Sequence, residues 1–149
     1  MQNKSHNDFV SSSEVIKTIE ISNQFRANNQ FTLALKCLED LNKRTNYNQD
    51  IIINMAITYY SYGNFALNNH NHGLSINCLE KATFYLDKKK DSKILADIYI
   101  KLAHCYQIDN NIEMMKWSHQ RLNSLEEKPP ISNGLLLYSK LRCAEFNGR

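Results

Sequence analysis

Histidine and cysteine are the side chains in this sequence best placed to do chemistry. His70 and His72 flank Asn71, and Cys78 follows six positions on. A zinc site needs three or four such groups converging, and the Asn-rich stretch around them adds no ligand. The expectation is an exposed loop with no metal. His104 and Cys105 are adjacent, and on a helix neighbouring residues point about 100° apart. A thiolate–imidazole pair needs facing side chains, so Cys105 reads as a core thiol. No Gly-rich phosphate loop, HExxH, GxSxG or paired-carboxylate spacing occurs. Met114, Met115 and Trp117 read as packing residues. These residues predict neither catalysis nor a cofactor.

The elements that position them are helical. Apolar or small residues at 52, 55, 56 and 59, and at 76, 79, 82, 83 and 86, keep the i, i+3, i+4, i+7 spacing of helices buried on one side. A polar tip at Asn68–His72 separates them, and Gly63-Asn64 reads as a helix end. Val15, Ile16, Ile19, Phe25 and Ala27 form an earlier helix, to about Asn28-Asn29, capped by Ser12 or Ser13. Phe31 to Leu41 forms its mate, and Asp50 is the expected cap of the central pair. Asp91-Ser92 precede a third pair, Ile94 to Tyr106 and Met114 to Leu125, which Pro129-Pro130 end. The expected organisation is a flexible tail over 1–13 and one helical-repeat domain over 14–147. Its hairpins span about 14–45, 50–88 and 92–127, with a terminal helix over about 132–147.

Leu35-Lys36-Cys37-Leu38-Glu39 recurs 41 positions later as Ile76-Asn77-Cys78-Leu79-Glu80. Around that echo, Thr18, Ile21, Ser22 and Phe25 align with Ile52, Met55, Ala56 and Tyr59, and with Tyr99, Leu102, Ala103 and Tyr106. The second helices align through Ala34, Leu38 and Leu41, then Ser75, Leu79 and Ala82, then Met115, His119 and Leu122. This pattern resembles the tetratricopeptide repeat, two antiparallel helices with small residues where they cross. Phe25 to Tyr59 keeps a 34-residue spacing, whereas Tyr59 to Tyr106 is 47. The extra residues fall at 64–72 and 87–93, so the central hairpin should stand taller by one or two turns. Shorter stretches are similar to the tetratricopeptide subunit of the cohesin loader: Leu35–Glu39, Cys78–Ala82, and Asp91–Lys93 ahead of Leu102–Tyr106. Asn54–Tyr59 before Gly63 is similar to an early repeat in the tetratricopeptide subunit of the Not deadenylase complex. Either resemblance implies a fragment of a longer protein.

The resemblance implies an all-α, short right-handed solenoid of about three hairpins plus a C-terminal helix. It also implies a groove lined by the first helices, where extended or helical segments of protein partners bind. Some members hold a terminal carboxylate there with converging Asn and Lys or Arg side chains. By register Asn23, Asn54 and Lys101 occupy three such positions, and they are the partner-binding candidates. Ile19 and Asp97 stand where two lysines would be, so the clamp is broken.

Composition narrows the function classes. Eighteen basic against 15 acidic residues give a net charge of +3, too balanced for a role dominated by nucleic acid or membrane electrostatics. Lys88-Lys89-Lys90 sits where a helix should end, and cations there suit its dipole. The four cysteines lack CxxC spacing and read as reduced core thiols of an intracellular protein, in cytoplasm or nucleus. No apolar run nears the roughly 18 residues of a membrane span, and Met1–Asp8 lacks a signal core. The richness in Asn suggests long polar loops or a biased genome, and implies no function. In the terminal helix Leu136, Cys143 and Phe146 lie off the packing stripe and are docking-surface candidates, for self-association or a larger partner. The expected function is a non-catalytic protein-interaction scaffold. A subunit of a larger assembly, cohesin-loader-like, is the alternative, and an enzyme is the weakest reading.

Overall fold

The structure, a computed structural model, describes residues 10–125, and these are all-helical. Six helices follow in order: α1 Ser12–Ala27, α2 Phe31–Arg44, α3 Gln49–Asn68, α4 His72–Tyr85, α5 Ser92–Ile108 and α6 Ile112–Asn123. Each packs on its neighbours in sequence, and α1 also reaches α3. The terminal helix expected over about 132–147, with Leu136, Cys143 and Phe146, lies outside the described residues.

The same three-residue turn joins α1 to α2, α3 to α4 and α5 to α6. Each helix ends at a cap residue, Asn28, Asn69 or Asp109. The next residue, Asn29, His70 or Asn110, takes the left-handed conformation at φ 59°, 60° or 56°. The amides of Gln30, Asn71 and Asn111 then donate to the carbonyls of Phe25, Ala66 and Tyr106, each at 2.8 Å. The amides of Asn29, His70 and Asn110 donate to Arg26, Leu67 and Gln107, each at 3.0 Å. This is the Schellman closure, which satisfies two orphan carbonyls at each helix end. Glycine usually fills its left-handed position, and here Asn or His does. At the outgoing side Asn71 and Asn111 accept the amides of Leu74 and Met114, both at 3.2 Å. Asn28, Asn29, Asn69, Asn71, Asn110 and Asn111 therefore serve short, closed turns and not long polar loops.

Three local expectations are corrected. The first helix is capped by Ser11, whose hydroxyl accepts the Glu14 amide at 3.2 Å, so the tail expected over 1–13 gives up Ser12 and Ser13. Asn48, not Asp50, caps α3, accepting from the amides of Asp50 at 2.9 Å and Ile51 at 3.2 Å. Gly63 does not end a helix. It lies inside α3, where a Cβ would stand 2.7 Å from Leu79 Cγ, and its carbonyl accepts Ser75 Oγ at 2.9 Å. Helix propensity is lost at Gly63, but α3 and α4 gain a close approach. Continuing through Gly63 makes α3 20 residues long, against 16 for α1 and 17 for α5, about one extra turn.

Two apolar clusters hold these helices together. Val15 of α1 meets Leu38 and Leu41 of α2 and Ile51 and Met55 of α3. The larger cluster joins α2 through α6, with Tyr59, Leu79, Ile98, Leu102, Tyr106 and Met115 among its members. Ser22, Ala56 and Ala103, aligned in sequence as crossing positions, are all buried. In α4 the buried stripe is Ser75, Cys78, Leu79 and Ala82, while Ile76, Thr83 and Leu86 are half-buried. The expected stripe keeps Leu79 and Ala82, while Ser75 and Cys78 take the inward places expected of Ile76 and Thr83, with Ser75 bonded to the Gly63 carbonyl.

Candidate functional site

Polar side chains on α1, α3 and α5 are tied across the gaps between those helices. Arg26 Nη1 donates to Thr58 Oγ1 at 3.0 Å, joining α1 to α3. Thr58 is fully buried, and its own hydroxyl donates to the Asn54 carbonyl one turn back at 2.7 Å. Arg26 Nη2 donates to Asn23 Oδ1 at 2.5 Å. Between α3 and α5, Lys101 Nζ pairs with Asp97 at 2.7 Å and donates to Asn64 Oδ1 at 2.8 Å. It also lies 5.2 Å from the centre of the Tyr60 ring, whose hydroxyl donates to Asp97. Burial and that carboxylate raise the Tyr60 pKa.

Asn23, Asn54 and Lys101 therefore each have local partners. Asn23 serves Arg26, and the Asn54 amide folds back to the Asp50 carbonyl at 2.8 Å. Lys101 is neutralised by the acid one helical turn before it. The Asp97–Lys101 spacing of i, i+4 was open to view in the sequence as a helix-surface ion pair. Asp97 thus both interrupts the expected clamp and discharges its remaining cation.

Arg26 is different. No ion pair to it occurs among the described residues. Burial lowers its pKa from the ordinary arginine value, and no carboxylate among the described residues offsets the effect. It opens on a cavity of about 560 Å³ between the end of α1 and the second half of α3. Asn23, Asn29, Asn64 and Asn68 line that cavity together with Phe31 and Phe65, with no carboxylate among the described lining residues. The Phe31 ring stacks on Tyr62 at 4.9 Å and meets Phe65 at 5.5 Å, so aromatic packing backs this part of the cavity. Phe65 remains 39% exposed. Sequence reasoning missed Arg26, because its state depends on what α3 places opposite it, 32 residues away.

No family model matches this chain, and no curated protein or solved structure matches it either. The chemistry of the remaining candidates follows from geometry alone. His70 and His72 lie at the turn between α3 and α4 with ring centres 6.5 Å apart. No group of three His, Cys, Asp or Glu positioned for a metal occurs among the described residues. Cys105 is fully buried while His104 is exposed. Burial pushes the Cys105 thiol pKa up, opposite to the shift of an activated nucleophile. Cys78 is buried too, its pKa pushed up to about 11 chiefly by burial. Trp117 packs edge-on against Tyr99 at 5.8 Å, with the Arg121 guanidinium 5.2 Å from its ring. No described helix is long and apolar enough to cross a membrane.

Proposed function

We propose that this chain is a non-catalytic protein-interaction scaffold, a short solenoid of tetratricopeptide-like hairpins that holds a partner segment along α1, α3 and α5. The observation that carries this reading is the half-buried Arg26, which has no carboxylate partner among the described residues and stands beside an open cavity on that face. A cation desolvated in this way favours an anionic partner. The solenoid reading draws support from structural repetition. Three identical turns recur, and two tyrosines reach back to the preceding pair's second helix, Tyr59 to Glu39 at 3.4 Å and Tyr106 to Glu80. Glu39 and Glu80 close the repeated pentapeptides Leu35–Glu39 and Ile76–Glu80. Repeated junctions of this sort stack units into an array.

An affinity capture from cell extract, read by mass spectrometry, tests the reading with three baits. Asn68→Trp would fill the cavity from its exposed rim. Lys36→Glu alters α2 at an exposed position outside the cavity. Proteins retained by the parent and by Lys36→Glu but lost with Asn68→Trp are the expected result. Identical captured sets for all three baits would overturn it.

A further inference from the structure

We infer that the cavity between α1 and α3 receives an acidic side chain of the partner segment, paired by Arg26, with an adjacent apolar side chain seated on Phe65. The inference rests on the scaffold reading and names the partner chemistry that this face selects. Two of the guanidinium's N–H groups are occupied by Thr58 and Asn23. Those two bonds fix its plane and leave the other donors for a ligand. A planar donor fork held in place matches a carboxylate, and its orientation is already fixed before binding.

The surroundings complete the argument. The cavity wall carries one cation and no acid among its described residues, so an incoming carboxylate meets attraction without a competing internal partner. Lys101 makes the contrast, since Asp97 holds it at 2.7 Å and closes that cation to an outside anion. Asn23, Asn29 and Asn68 offer amides that can hydrogen-bond a peptide backbone passing the rim. The partly exposed Phe65 ring packs at a tilt against the buried Phe31 at 5.5 Å, so the same cavity has an apolar seat. A segment pairing Asp or Glu with a neighbouring Leu or Phe satisfies both halves. A wholly apolar segment would leave Arg26 desolvated and unpaired, which is costly.

An array of 12-residue peptides tests this, each with both ends blocked so that no terminal carboxylate is present. Members come in matched sets that differ only by Glu or Gln, or Asp or Asn, beside Leu or Phe. Binders are then measured in solution by fluorescence polarisation. The parent should bind the acidic member at least about tenfold more tightly than its amide twin, a difference of about 1.4 kcal/mol. Arg26→Gln should bind both alike, and Arg26→Lys should keep part of the preference. Ser61→Asp keeps the arginine and adds an acid to the cavity lining, one turn along α3 from the Thr58 that Arg26 bonds, so it too should erase the preference whether or not Arg26→Gln folds. Array binders with no preference for the acid would overturn the inference, as would a preference that survives Arg26→Gln and Ser61→Asp. A complete lack of binding by acidic members would do the same. If binders are blocked by Asn68→Trp yet ignore the acid, the scaffold reading survives and this inference fails.

Discussion

Tyr59 and Tyr106 each carry a phenol hydroxyl to a carboxylate across the junction between helix pairs. Both rings are buried, and burial followed by the facing glutamate raises both pKa values, that of Tyr59 to about 12. The fold therefore prefers the neutral phenol. In the unfolded chain a tyrosine releases its proton near its ordinary value of 10.0. Above that pH the unfolded state binds fewer protons than the folded one, so stability falls as pH rises. The contribution is complete below about pH 10 and lost as pH climbs through about 12. Cys78, pushed from 9.0 to about 11, begins the decline one unit earlier. Urea midpoints measured from pH 8 to 12 should drop steeply, and a Tyr59→Phe, Tyr106→Phe double variant should flatten the slope above pH 10. At neutral pH each lost hydroxyl should cost about 0.5–1.5 kcal/mol. Equal alkaline slopes in parent and variant would mean that these hydroxyls ionise freely in the fold. The two tyrosines were legible in sequence because they repeat beside Ala56 and Ala103. Their acceptors were visible only as the last letters of a repeated pentapeptide, since a hydrogen bond between pairs needs the stacking that sequence periodicity does not supply.

At the scale of the element, the three Schellman turns rank themselves. Asn tolerates the left-handed region through its short polar side chain, whereas His at φ 60° has less to gain there. His70→Gly should therefore stabilise the protein by up to about 1 kcal/mol, or roughly 2–4 °C in Tm. Asn29→Gly should yield less. Thermal melts in which the two variants rank the other way would show that His70 is held by interactions other than the turn. Gly63 makes the opposite case. An alanine there would gain up to about 1 kcal/mol of helix propensity. Its Cβ, however, would press on Leu79, which is fully buried and has no room to turn aside. Overpacking of this sort costs about 1–3 kcal/mol, so Gly63→Ala should lower the urea midpoint. A rise would mean that α3 and α4 can separate freely. Sequence alone read Gly63 as a helix end because glycine's intrinsic cost was visible and the neighbour that rewards it, 16 positions on, was not. The second helices and most helix bounds were legible, since they follow from the local apolar period.

Across the whole molecule, burial is uneven along the chain. Only Val15 and Ser22 of α1 are buried, whereas α5 buries most of its apolar residues between Leu95 and Tyr106 against α4 and α6. α1 packs against α2 and α3. Among the described residues its polar ties to the other helices are the exposed Glu14–Arg44 ion pair at 2.5 Å, worth about 0–1 kcal/mol, and the Arg26–Thr58 hydrogen bond. Stability in a chain of neighbouring contacts is a sum of local terms, so the helix with least burial opens first. Hydrogen exchange should accordingly show α1 amides at least about tenfold less protected than those of α5, a gap of about 1.4 kcal/mol or more. Uniform protection over all six helices would mean one cooperative unit. The same asymmetry bears on binding. Arg26 sits in the last turn of α1, and its bond to Thr58 spans to α3, so a ligand held between them pins the least stable helix to the core. Adding an acidic array peptide should slow exchange in α1 and leave α5 unchanged, because a ligand protects only the openings that release it. Slowing in α5 alone would place the bound peptide at α5, away from Arg26.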